Sequence, residues 1–143
     1  MYIKQISVFL ENKVGRLVEI TDTIAKAGID IRAVSLADTS DYGILRVIVD
    51  NPDQAEKVIR DAGYTVAITN VLAVGIQDKP GTFTKVLASL SENDVNVDYM
   101  YAFTGTHNGT AYVIMKMDNL EKGIQVLQNN NAVVLSTDEI YHL

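Results

Sequence analysis

Apolar residues along the chain alternate between two spacings. YIKQISVFL (residues 2–10) reads as a half-buried strand in which Ile6, Val8 and Leu10, two residues apart, share one face. Beyond the polar ENKVG, apolar residues recur at helical spacing at Leu17, Ile20, Ile24 and Ala27, and Gly28 stops that helix. IDIRAVSLA reads as a strand again, and the polar DTSDYG joins it to GILRVIVD as a hairpin would. Asn51 and Pro52 form a helix start, with asparagine as cap and proline in the first turn. Ala55, Val58, Ile59 and Ala62 line this helix, Gly63 ends it, and YTVAIT is a closing strand. The order is β-α-β-β-α-β.

Displacing the chain against itself so that Gly15 falls on Gly81 gives that order a second time, with no gap needed. Strand VLAVGIQ leads through DKPG into a helix bearing Phe83, Val86, Leu87 and Leu90 on one face. VNVDYMYAF and GTAYVIMKM form a second hairpin around TGTHNG. Asp118 is the expected cap of a helix with Leu120, Ile124 and Leu127, and AVVLS is the expected final strand. Identities at this displacement are sparse: Val8/Val74, Lys13/Lys79, Gly15/Gly81, Gly43/Gly109, Val47/Val113 and Ile48/Ile114. The persuasive feature is that both glycine pairs fall at matching joints while the elements stay in phase.

The expected fold class is therefore α+β. Two tandem ferredoxin-like modules, at 1–69 and 70–143, each place two helices on one face of an antiparallel sheet. No linker separates them, so they are expected to pack rigidly. Ser7, Phe9, Arg46 and Ile48, with Gly75, Tyr112 and Ile114, fall on the sheet faces away from the helices. Exposed apolar residues there would point to a contact with another module or subunit.

Composition narrows the function. The net charge is −6, divided as −2 over residues 1–69 and −4 over 70–143, which disfavours a nucleic-acid backbone as partner. No apolar run approaches the roughly 20 residues of a membrane span, and the N-terminus alternates like a strand rather than a signal peptide. The absence of cysteine excludes disulfides, thiolate metal sites and cysteine nucleophiles, and suits a cytoplasmic protein. His107 and His142 stand alone, so no metal or other cofactor is expected.

Candidate chemistry lies at the repeated joint, VFLENKVGRL and VGIQDKPGTF. Gly15 and Gly81 can serve simply as tight turns at positive φ. They can also let a ligand approach the unpaired amides of a helix N-terminus, which hold carboxylate or phosphate. At the second joint the donors would be the amides of Gly81, Thr82 and Phe83, with the Thr82 hydroxyl nearby. Asp78 would take an ammonium group, or else merely cap its helix. Asn12, Gly15, Arg16 and Leu17 form the matching set. Carboxylate and ammonium receptors side by side describe a site for a free amino acid.

DKPGTF followed by a helix and DVNVDYM resembles the ACT domain, a small amino-acid-sensing module, and NKVGRL with GIDIRAV is similar to a more divergent copy. The resemblance covers essentially the whole chain. The first copy lacks the proline and has Asn12 in place of the acid. The resemblance implies an effector held between two modules by the loop before the first helix and the start of the second strand. Those positions are Asn12, Val14, Gly15, Arg16 and Leu17 with Asp30, Ile31 and Arg32. In the second copy they are Asp78, Pro80, Gly81, Thr82 and Phe83 with Asn96, Val97 and Asp98. It also implies a homodimer without catalysis, whose readout passes through another protein or the oligomer, since no segment is left for an output domain.

Two other functions and a purely structural role compete with this one. Sheet aromatics such as Tyr99, Tyr101, Phe103 and Tyr112 can stack RNA bases, but here they lie in an acidic half and suit an interface or pocket wall better. A small acylphosphatase-type enzyme would use Arg16, yet Asn12–Arg16 does not supply the long amide-rich phosphate loop that chemistry needs. An assembly subunit whose glycines only turn the chain is the third alternative.

Overall fold

The computed structural model describes residues 2–38, 41–103 and 108–142. The sequence elements appear as β1 (Ile3–Glu11), α1 (Arg16–Lys26), β2 (Ile31–Asp38), β3 (Tyr42–Val49), α2 (Pro52–Asp61) and β4 (Thr65–Gln77). They continue as α3 (Thr82–Glu92), β5 (Val97–Ala102), β6 (Thr110–Met117), α4 (Leu120–Asn129), β7 (Val133–Val134) and α5 (Thr137–Tyr141). The chain forms two compact units, Lys4–Thr69 and Asn70–Leu143 with the first three residues. β4 runs through both, its 13 residues merging the strands YTVAIT and VLAVGIQ.

The first unit orders its sheet β2-β3-β1, with β4 beside β1. Val8 faces Leu45 across the antiparallel β1–β3 pair. Ile6, Val8 and Leu10 meet Leu45, Val47 and Val49 on one sheet face, and Ile20, Ile24, Ala55 and Ile59 pack down onto them from α1 and α2. Leu17, in the first turn of α1, lies outside this core and is 42% exposed. α2 starts as expected, with the Asn51 side chain accepting from the Gln54 amide and Pro52 in first position.

The second unit repeats the plan as β5-β6-β4, with β7 pairing β4. Leu72, Val74 and Ile76 join Val113, Met115 and Met117 beneath Val86, Leu90, Val126 and Leu127. Each unit is thus an antiparallel sheet with both long helices on one face, the tandem ferredoxin-like arrangement.

Several expectations are corrected. Val74 faces Val113 where Val8 faces Leu45, so the partner of Leu45 is Val113, whereas the ungapped displacement puts Val47 there. The ungapped pairs Gly43/Gly109, Val47/Val113 and Ile48/Ile114 are therefore not equivalent positions. The second module gains its extra length between β5 and β6, and an even insertion keeps every side chain on its face, which hides the shift from a periodicity argument. Asp118 does not cap α4. Asn119 does, accepting from the Lys122 amide, while Asp118 accepts from the Asn96 amide at 3.0 Å. AVVLS yields only a two-residue strand, after which Ser136 caps the unexpected α5 by accepting from the Glu139 amide. That Ser-x-x-Glu spacing is a capping-box signal present in the sequence.

The helix-free faces are also less open than alternation suggested. Ile48 and Ile114 are fully buried and Ser7 is 7% exposed, whereas Phe9 is 43% exposed. The cap at Asn119 can be tested alone. Asn119→Ala should lower unfolding stability by about 1 kcal/mol in urea titrations, the usual loss of a helix cap, with the fold unchanged. Unchanged stability would show that the Lys122 amide finds another partner.

Candidate functional site

Both joints leave the strand through the same backbone turn. Gly15 has φ +90° and Gly81 φ +87°, left-handed values that a side chain strains to adopt. Nothing lies within 4 Å of where a Cβ would stand on either glycine, so the backbone is open to approach. Neither helix has a side-chain cap, which removes Asp78 from the capping role considered for it.

The donor set differs from the expected one. The Thr82 amide donates to Lys79 O at 3.3 Å, and the Arg16 amide donates to Lys13 O at 3.2 Å. The Thr82 hydroxyl lies 2.5 Å from Gln77 O and 2.7 Å from Lys79 O, so its single proton is committed to the loop. Of the three amides named for a carboxylate, those of Gly81 and Phe83 remain. Phe83 itself packs partly into the core. Asn12, Val14, Asp78 and Pro80 are exposed, Val14 completely. Arg16 is the first residue of α1 and bonds Glu19 at 3.1 Å, an exposed pair rather than a phosphate cradle.

The second group of predicted residues forms a matched clasp at the start of β2 and β5. The Asp30 amide donates to Asp50 Oδ1 and the Asp50 amide to Asp30 O; Asn96 and Asp118 repeat both bonds. Arg32 Nε lies 3.5 Å from the Asp30 carboxylate. Asp98 accepts from Lys116 at 3.0 Å and from Asn96 at 2.9 Å. These bonds, the one from Lys116 foremost, hold its carboxyl below the usual range. Ile31 and Val97 are partly buried against their cores.

Loop and clasp do not meet within one unit. They stand at opposite ends of an 11-residue helix, about 16 Å apart at 1.5 Å per residue. Beside each clasp the helix flank leaves a shallow groove. One of about 430 Å³ is bounded by Val18, Thr21, Asp30 and Ile31; the other, of about 420 Å³, by Leu87, Ser91, Asn96 and Val97. A different cavity of about 460 Å³ lies in the second unit between α3, β4 and the end of α4, with Thr82, Lys85, Ser89 and Ala132 on its walls, so that of the predicted residues it takes in Thr82.

Of the aromatics, Phe103 and Tyr112 pack edge to face with centroids 6.2 Å apart, and Tyr99 and Tyr101 lie along β5. His107 lies outside the described residues, and His142 Nδ1 is 2.6 Å from the Asp138 carbonyl. Among the described residues no His or carboxylate cluster could hold a metal, and no helix is long and apolar enough to cross a membrane.

A duplicated βαββαβ unit with an open glycine joint at each first helix defines a class, and the sequence agrees with it. The chain matches the ACT domain pair family over residues 1–143 and belongs to that family. It is similar to a protein of Bacteroides thetaiotaomicron whose structure is solved, with 40% identity over 100% of this chain and 98% of that one and a TM-score of 0.93. It also resembles the regulatory subunit of aspartate kinase from Thermus thermophilus in its ligand-free form, at 13% identity over 90% and 92% of the two chains, TM-score 0.66. The corresponding subunit from Thermus flavus gives 14% identity, 87% and 88% coverage and TM-score 0.64; at these identities the likeness is one of fold. No curated protein matches the sequence.

The Asp98 cluster yields a pH prediction. A carboxyl whose folded pKa is depressed contributes stability above its unfolded pKa and loses it as pH falls through the folded value. Lys116→Met should therefore reduce the acid-side slope of stability against pH and leave the basic side unchanged, as urea midpoints across the carboxylate range would report. An unaltered acid slope would show that the pair is not coupled to folding.

Proposed function

We propose that the chain is a non-enzymic regulatory protein of the cytoplasm that senses a free amino acid, with modules at 1–69 and 70–143. The effector sits between modules, its carboxylate on the amides at a glycine joint and its ammonium on Asp78 or the acids of a neighbouring clasp. The observation that carries this reading is the open, left-handed backbone at both Gly15 and Gly81. The distance between loop and clasp within a unit supports a shared site, because only residues from different modules can bring the two sets onto one small ligand. A homodimer supplies such a junction. Family membership supports regulation in preference to catalysis, as does the ion pair that occupies Arg16.

Sensing follows from differential binding. An effector that bridges two modules stabilises the arrangement it binds better, and a protein partner preferring that arrangement feels the same coupling in return.

A thermal-shift screen against the twenty amino acids tests this. At about 100 times its dissociation constant an effector adds roughly 2.7 kcal/mol, which for a chain of this size raises the Tm by roughly 6–10 °C. Gly81→Val, Gly15→Val or the two together should lose most of that shift. Gly63→Val, which strains the backbone similarly at φ +93° away from the joint, should lower the unliganded Tm but keep the shift. No shift with any amino acid would leave the glycines as turns alone.

A further inference from the structure

The two modules act as controls for each other, and one of their differences falls at a partly buried position beside the first helix. Tyr64 and Ala132 are equivalent: their amides donate to Ile59 O and Leu127 O in the same helix-ending turn, Tyr64 after α2 and Ala132 after α4. Tyr64 packs partly buried against the first core. Its phenol oxygen is buried and lies near Glu19 without completing a hydrogen bond. Burial first, and then the Glu19 carboxylate, push the phenol above its ordinary range, while Arg16 opposes them. In the second module the residues at these places are Ala132, Lys85 for Glu19 and Thr82 for Arg16. Ala132, Lys85 and Thr82 all line the 460 Å³ cavity. The first module thus carries a built-in phenol ring where the second carries a void.

We propose that this cavity of the second module is a binding site for a monocyclic aromatic carboxylate whose ring takes the place that Tyr64 fills in the first. The walls suit a ring, since Ile76, Val86, Ala132 and Val133 are apolar, and the volume lies within the range of small-ligand pockets. The distal end sets the charge. Where Tyr64 points at a carboxylate, a ligand in the second module points at the Lys85 ammonium, which forms no ion pair among the described residues. An anionic group there accepts from the ammonium as an ion pair, whereas a neutral phenol offers it only an uncharged acceptor. This site adjoins the second glycine joint at Thr82, lies off the open backbone of Gly81, and takes a ligand without an amino group.

The test is isothermal titration of the full chain with 4-methylbenzoate, the tyrosine side chain with carboxylate in place of hydroxyl, beside its neutral twin 4-methylphenol. The wild type should bind the benzoate more tightly than the phenol. Ala132→Tyr, which copies the first module, should weaken benzoate binding by at least about tenfold while amino-acid-induced thermal shifts persist. Lys85→Gln, an exposed change that leaves the core intact, should weaken the benzoate roughly threefold or more and the phenol markedly less. Three results would overturn the proposal: no benzoate binding at millimolar concentration, undiminished binding in a folded Ala132→Tyr, or equal loss of both ligands in Lys85→Gln. Because the probe has no amine, failure here leaves amino-acid sensing standing, and failure of sensing leaves this site standing.

Discussion

A left-handed turn at one residue determines where each module's first helix begins. At Gly15 and Gly81 the chain must leave an extended strand and enter a helix at φ near +90°. A β-carbon there would strain the backbone by about 1–3 kcal/mol, so only glycine makes the turn at little cost. The turn sends α1 and α3 back over the sheet, where Ile20 and Ile24, or Val86 and Leu90, reach the alternating strand residues. The same geometry leaves both helix starts without a capping side chain, while the Arg16 and Thr82 amides bond back into their own loops. One constraint therefore serves both the core and the candidate site, and a tight turn and a ligand cradle are two readings of one backbone.

Duplication exposes which features the fold requires and which vary. The clasp of Asp50 on the Asp30 amide recurs as Asp118 on Asn96, and Asn51 and Asn119 cap corresponding helices. These bonds tie the start of the second strand to the end of the third in both modules. Gly28 and Gly63 end the first module's helices at positive φ, where the second module uses Asp94 and Asn131. Both short polar side chains tolerate that region better than most. The replacement of Tyr64 by Ala132 belongs to neither group: it alters no backbone bond and empties a side-chain volume.

Much of this was readable from alternation and helical spacing because each strand buries one face and each helix one stripe. Ile6, Val8, Leu10, Ile20, Ile24, Ala55 and Ile59 all lie in the core that the pattern assigns them. The failures share a cause: each depended on which of two adjacent or similar positions the backbone favours. Asp118 and Asn119 are both good caps, and only the competing Asn96 amide decides between them. An even insertion preserves face, so the change of displacement in the second hairpin left no periodic trace. The joints were legible because glycine in a polar loop before a helix is a chemical signal. The cavity was not, because it consists of a side chain that is missing, and only comparison of matched positions in the two folded modules locates it.

The central claim, that a free amino acid is held at the joint backbone, is tested most directly by NMR on protein labelled with ¹⁵N-glycine. The chain has nine glycines, so each amide can be followed individually. Titration with the amino acid that stabilises the protein should move the Gly81 resonance, the Gly15 resonance, or both, in a saturable manner, with Gly28 and Gly63 nearly still. Saturable movement elsewhere, with Gly15 and Gly81 fixed, would contradict the claim and reduce both glycines to turns.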